Sequence, residues 1–151
     1  MSPIALSQPE IDENMLSSPR GILCDTRENL APLAQPKWFG WIDGTIVMTT
    51  LATSKKIEPV RKSPAVSFLV ESGEEYFTLK ALLIIGNCQV DDDPASAKRW
   101  QEAVWENKPI YKELFPDTLP PHLERHYDKP HAALVITPSS ITSWNFAKVR
   151  R

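Results

Sequence analysis

The sequence predicts a mainly β, α+β domain of six to seven antiparallel strands closed into a barrel, with one helix across an end. Three observations predict it. Apolar runs of strand length recur at close spacing, separated by turn signals rich in Gly, Pro, Asp and Ser. Residues 65–71 alternate cleanly: Val66, Phe68 and Val70 share one face, and Ala65, Ser67 and Leu69 the other. One main helix is signalled by Asp91-Asp92-Asp93-Pro94, with acids near a positive helix terminus and proline in its first turn.

Taken in order, residues 1–18 contain the capping-box pattern Ser7-Gln8-Pro9-Glu10, with Ile11, Met15 and Leu16 on one face of a short helix that Pro19 ends. Residues 21–24 read as the first strand. Residues 30–41 read as the second, with Pro32 and Pro36 limiting its pairing. On it Trp38 and Phe39 point to opposite faces. Asp43-Gly44 readily takes positive φ and links this strand to a third at 45–50. A helical turn is expected at 57–61, a strand at 65–71, and a long strand at 76–90, kinked at Gly86. The main helix starts at Pro94 and presents Ala97, Trp100, Ala103 and Val104 on one face. A short helix over 110–115 and a proline-rich connection over 116–130, weak in helix, follow. Strands at 132–137 and 141–146, joined by Pro138-Ser139-Ser140, close the chain.

At 151 residues the chain reads as a single domain, 1–151, large enough to bury roughly two thirds of its unfolded surface. A net charge of -2 gives no general pull toward nucleic acid. No apolar run has the length of a membrane span, and the expected protein is soluble and cytoplasmic. Cys24 and Cys88 lack any metal-ligand or redox spacing and read as reduced core residues. His122 and His126 stand at i, i+4 with no third ligand near, so no metal site is expected.

Residues 36–70 concentrate the chemistry. Thr49 and Thr50 end an apolar strand, and Ser54, Lys55 and Lys56 follow within one loop, with Arg61 and Lys62 close behind. A Lys-Lys pair in a loop is ordinarily solvated surface charge. Hydroxyls, free backbone N–H groups and ammonium groups gathered this tightly also suit a phosphate, which accepts short charge-assisted hydrogen bonds. The basic cluster is local and balanced by acids elsewhere, which favours a small anionic ligand over a polyanion. No nucleophile with its base and no carboxylate pair is evident, and catalytic residues are left unassigned.

Thr50, Ser54-Lys55-Lys56, Val60 and Pro64 form a pattern that resembles the flavin-binding split-barrel family of pyridoxamine 5'-phosphate oxidase. The resemblance implies that Thr49, Thr50, Ser54, Lys55 and Lys56 hold the phosphate and ribityl chain of FMN. Pro36-Lys37-Trp38-Phe39, followed by Trp41 and Asp43-Gly44, is similar to the family strand that edges the isoalloxazine ring, which implies cofactor contacts for Lys37, Trp38 and Phe39. Tyr76-x-x-Leu79-Lys80-Ala81-Leu82 looks like a second family strand, with Lys80 where arginine is frequent and Ala81 where glycine or glutamine is frequent. There Lys80 implies a cation near the flavin pyrimidine edge, where reduction builds negative charge. Pro138-x-x-Ile141-x-x-Trp144 is similar to the closing motif and places Trp144 against FMN. The resemblance further implies a homodimer with the cofactor at the subunit interface and a small-molecule substrate. Related reductases use a deazaflavin, and a non-enzymatic FMN carrier or electron-transfer module is a third reading. No histidine follows Trp144, so poor turnover of pyridoxamine 5'-phosphate is expected.

Overall fold

Asp43 and Gly44 take φ of 49° and 75°. That is the paired left-handed geometry of a type I′ turn, whose twist matches the strands it joins. The turn links β3 (Gly40–Ile42) to β4 (Thr45–Leu51). The computed structural model describes residues 2–150. The remaining strands are β1 (Gly21–Asp25), β2 (Leu33–Lys37), β5 (Ala65–Ser72), β6 (Lys80–Asp91) and β7 (His131–Asn145). Five helices, α1 (Gln8–Ser17), α2 (Ile57–Lys62), α3 (Pro94–Asn107), α4 (Ile110–Leu114) and α5 (Pro121–Tyr127), and a 3-10 turn at Phe146–Arg150 complete the described chain. All seven strands form one antiparallel sheet in the order β2-β1-β5-β6-β7-β4-β3.

That order requires curvature. The two edge strands β2 and β3 are separated in sequence only by Trp38 and Phe39. Lys37 and Gly40 are three residue steps apart, so the edges meet within about 11 Å. The sheet must therefore curl back on itself, and the expected α+β split barrel is what forms. Its interior is filled by Phe39, Ile46, Met48, Phe68, Leu82, Ile84, Leu134 and Ile136. Each such side chain contributes roughly 1.5–3 kcal/mol by leaving water. The expected alternation on β5 is present, with Val66, Phe68 and Val70 buried.

Several elements differ from the sequence expectation. Residues 30–41 are two strands on opposite sheet edges. The Tyr111 hydroxyl accepts the Phe39 N–H at 2.9 Å and donates to the Pro19 carbonyl at 2.6 Å, so a side chain takes the amide that would continue a ladder. The strand expected from residue 76 begins at Lys80, because Tyr76–Thr78 turns and the Thr78 hydroxyl accepts the Glu75 N–H at 3.1 Å. The two closing strands are one. Ile85 pairs with Ser140 and Gly86 with Pro138, leaving Ser139 as the extra residue of a bulge. The Ser139 hydroxyl donates to the Ile85 carbonyl at 3.0 Å and supplies a bond the bulge would otherwise lose. The kink expected at Gly86 is this bulge. Residues 121–127 are helical, with proline in the first turn.

Helix α1 has the expected capping box, but Leu16 faces outward while Ile11 and Met15 are buried. Glu10 also pairs with Lys148 at 2.7 Å, tying α1 to the C-terminal turn. Helix α3 starts as expected: the Asp93 carboxylate accepts the Ser96 N–H at 2.9 Å. It lies against β3, β4 and β7. The Trp41 N–H of β3 donates to the Asn107 side chain at 2.9 Å, which locks the helix end to the barrel rim. None of the described helices is long and apolar enough to cross a membrane.

Candidate functional site

The end of β4 delivers Thr49 and Thr50, held by pairing with Ala133 and Ala132 of β7. The chain then turns tightly. The Ser54 N–H donates to the Leu51 carbonyl at 2.9 Å, and the Lys56 N–H to the Ser54 hydroxyl at 3.3 Å. These bonds fold residues 51–57 into a tight turn. A cleft of about 430 Å³ opens there, lined by Thr49, Thr50, Ser54 and Lys56 together with Lys37 from the end of β2. His126, Tyr127 and His131 form its far wall.

Lys37 and Lys56 line the same cleft. Burial, and then the nearby Lys56 ammonium, push Lys37 down from 10.5 to about 8, while Asp25 pulls it the other way. Asp25 is itself buried, and its Oδ1 has no hydrogen-bond partner among the described residues. Two ammonium groups in one cleft repel one another, and the Asp25 carboxylate offsets this only in part at Lys37. A phosphate has the charge and the acceptor oxygens to complete the offset.

A second cleft of about 200 Å³ adjoins the first and shares Lys37, Thr49 and Tyr127 with it. Its walls are aromatic. Trp38 and Tyr111 stack with ring centroids 4.3 Å apart and an interplanar angle of 1°. Trp105 meets Phe115 edge-on at 5.3 Å, and Phe115 meets Tyr127 at 5.7 Å. Met48 and Val104 close the space from β4 and α3.

Of the residues expected to bind cofactor, Lys37, Trp38, Thr49, Thr50, Ser54 and Lys56 line one or both clefts. Lys55 does not; it is exposed and outside both, because the turn that brings Ser54 and Lys56 inward sends it outward. Phe39 is a core residue with no exposed surface, packed edge-on against Phe68 at 4.9 Å. Lys80, Ala81 and Trp144 lie elsewhere. Ala81 pairs with Trp144 and Lys80 with Asn145, whereas Thr49 pairs with Ala133 at the other end of β7. Eleven strand positions separate Ala133 from Trp144, up to about 36 Å at 3.3 Å per residue. Neither cleft is lined by Lys80, Ala81 or Trp144.

Sequence reasoning assigned no site role to Trp105, Tyr111, Phe115 or Tyr127. The signal available was the density of aromatic residues between Trp100 and Tyr127, without a period to show which face they share. It also missed Lys108, which is fully buried. Its ammonium lies 3.2 Å from the Phe39 ring centroid and donates to the Ser18 carbonyl at 2.6 Å. Burial pushes it down to about 7. The ring face and the carbonyl work against that shift. Lys108 pins the segment between α1 and β1 behind the aromatic cleft.

The fold is the split barrel of the flavin-binding, pyridoxamine 5'-phosphate oxidase-like proteins. A conserved hypothetical protein from Mycobacterium tuberculosis is similar over 100% of this chain and 92% of its own, with 28% identity and a TM-score of 0.81. A FAD-binding protein from Mesorhizobium loti has 19% identity and a TM-score of 0.67, over 92% of this chain and 94% of its own. An F420 reductase has 20% identity and a TM-score of 0.61, over 85% of this chain and 94% of its own. Others of this fold are named for pyridoxamine 5'-phosphate oxidase. No protein-family model and no curated protein matches the sequence.

Proposed function

We propose that this protein binds FMN and acts as an oxidoreductase, passing hydride or electrons to or from a small substrate. The observation that carries the reading is the cleft that Lys37 and Lys56 share with Thr49, Thr50 and Ser54. Lys56, Thr50 and Ser54 would hold the phosphate, with Lys37 completing its neutralisation. The bound flavin supplies the redox chemistry; the protein supplies placement and polarity. The aromatic walls make the adjoining cleft less polar than bulk water, which strengthens charge interactions at its boundary. Lys80, Ala81 and Trp144 reach such a cofactor only from a second copy of the chain, so the working form in this reading is a homodimer with FMN between subunits. The unpaired Cys24 and Cys88 suit a reducing compartment, and we place the protein in the cytoplasm.

Titrating the purified protein into FMN should quench flavin fluorescence at one equivalent per chain. A charge-assisted hydrogen bond is worth roughly 1.5–3 kcal/mol, so Lys56→Ala should weaken binding by about 10- to 150-fold. Absence of saturable quenching would sink the FMN reading. A deazaflavin is the second reading, favoured by the F420 reductase of the same fold. The visible spectrum of the co-purifying cofactor separates the two. Turnover with a reduced nicotinamide donor separates both from a carrier.

A further inference from the structure

The aromatic cleft is too small to be the whole of a flavin site. Its volume is about 200 Å³. An apolar cavity of roughly 150 Å³ takes a benzene ring, whereas sites for larger organic ligands begin at about 300 Å³. The space therefore suits one ring, and its geometry says what kind. The stacked pair Trp38 and Tyr111 stands on one side, and Trp105 and Phe115 present edges on another. These rings pack on one another, with Tyr111 buried under Trp38, so a flat ring entering the cleft would meet the outer sides of Trp38, Trp105 and Phe115. The interior is not uniformly apolar: Lys37 and Thr49 stand at the boundary with the hydroxyl cleft. Lys37 carries three donors, enough to serve a phosphate on one side and a second oxyanion on the other. The entrance is open, since Trp38 is 40% and Tyr127 45% exposed.

We propose that the aromatic cleft is the substrate subsite and takes a single planar aromatic ring bearing a carboxylate, with the ring against Trp38, Trp105 and Phe115 and the carboxylate on Lys37. The proposal rests on the flavin reading, because it makes this ring the reaction partner of a cofactor seated in the neighbouring cleft. It supplies the substrate class that reading lacks.

The test uses benzoate as probe, titrated by ligand-observed NMR against the protein with and without FMN. Benzyl alcohol and cyclohexanecarboxylate serve as controls for charge and for the flat ring. Benzoate should saturate one site per chain in both states. Each control should bind at least about tenfold more weakly, as should benzoate to Lys37→Met and to Trp38→Ala; tenfold corresponds to about 1.4 kcal/mol. Should Trp38→Ala lose its fold, Gln101→Phe, which fills the cleft from α3, must block benzoate instead. Equal binding of either control overturns the proposal. So does one-for-one displacement of benzoate by FMN, which would give the cleft to the cofactor's own ring, and so does a lack of saturation. If FMN itself fails to bind, flavin fluorescence reports that separately, while benzoate is still read on the protein alone.

Discussion

Lys37 shows how a residue unremarkable in sequence acquires a role from its surroundings. It ends an edge strand, and only the curl of the sheet sets it beside Lys56. Its folded pKa of about 8 lies below the ordinary 10.5. Between those values the unfolded chain binds more protons than the folded one, so this group makes stability rise with pH from about 8 to 10.5. Below pH 8 its destabilising contribution is fully present. Lys37→Met should flatten that part of the stability-pH curve, measured by urea unfolding. An anion acts in the opposite sense, because it favours the ammonium. Phosphate or FMN affinity should therefore fall as pH rises through about 8 in the native protein and stay level in Lys37→Met. A native affinity independent of pH across that range would remove Lys37 from the anion site.

At the scale of elements, the β6–β7 ladder is the spine that positions everything else, and its bulge is its most constrained point. A Cβ on Gly86 would collide with the Thr137 carbonyl, a backbone atom with no freedom to retreat. Gly86→Ala should cost about 1–3 kcal/mol through overpacking, read as a lower denaturation midpoint with unchanged slope. A neutral result would show that the ladder can widen there. The bulge also explains why two closing strands were expected. Pro138-Ser139-Ser140 carries the residues of a turn, and proline offers no N–H to a ladder. The bulge absorbs the surplus residue, and the partner strand carries pairing through. The split of residues 30–41 has a different origin: the Phe39 amide is taken by a hydroxyl from α4, far away in sequence.

At the scale of the molecule, the phosphate-type cradle and the Trp144 motif sit at opposite ends of β7. In the homodimer proposed above, association of two copies unites them. Gel filtration with light scattering should give twice the chain mass. Trp144→Phe should leave the melting temperature without FMN nearly unchanged and reduce the rise on adding FMN, since the variant loses the indole N–H and part of the contact surface. Equal drops with and without FMN would assign Trp144 to the fold of its own subunit, through the cavity a smaller ring leaves.

Local chemistry was legible without a structure. The Asp43-Gly44 turn, the β5 alternation, the capped starts of α1 and α3 and the cluster of Thr49, Thr50, Ser54 and Lys56 all depend on residues within a few positions of one another. Steric and hydrogen-bonding preferences act at that range, so sequence by itself determined them. Tertiary structure decided the rest. Meeting of the sheet edges set Lys37 against Lys56; packing of α3, α4 and α5 over β4 gathered Trp105, Tyr111, Phe115 and Tyr127 around Trp38. Those contacts join segments tens of residues apart, and no period or spacing encodes them, because they follow from how the curled sheet and its helices pack.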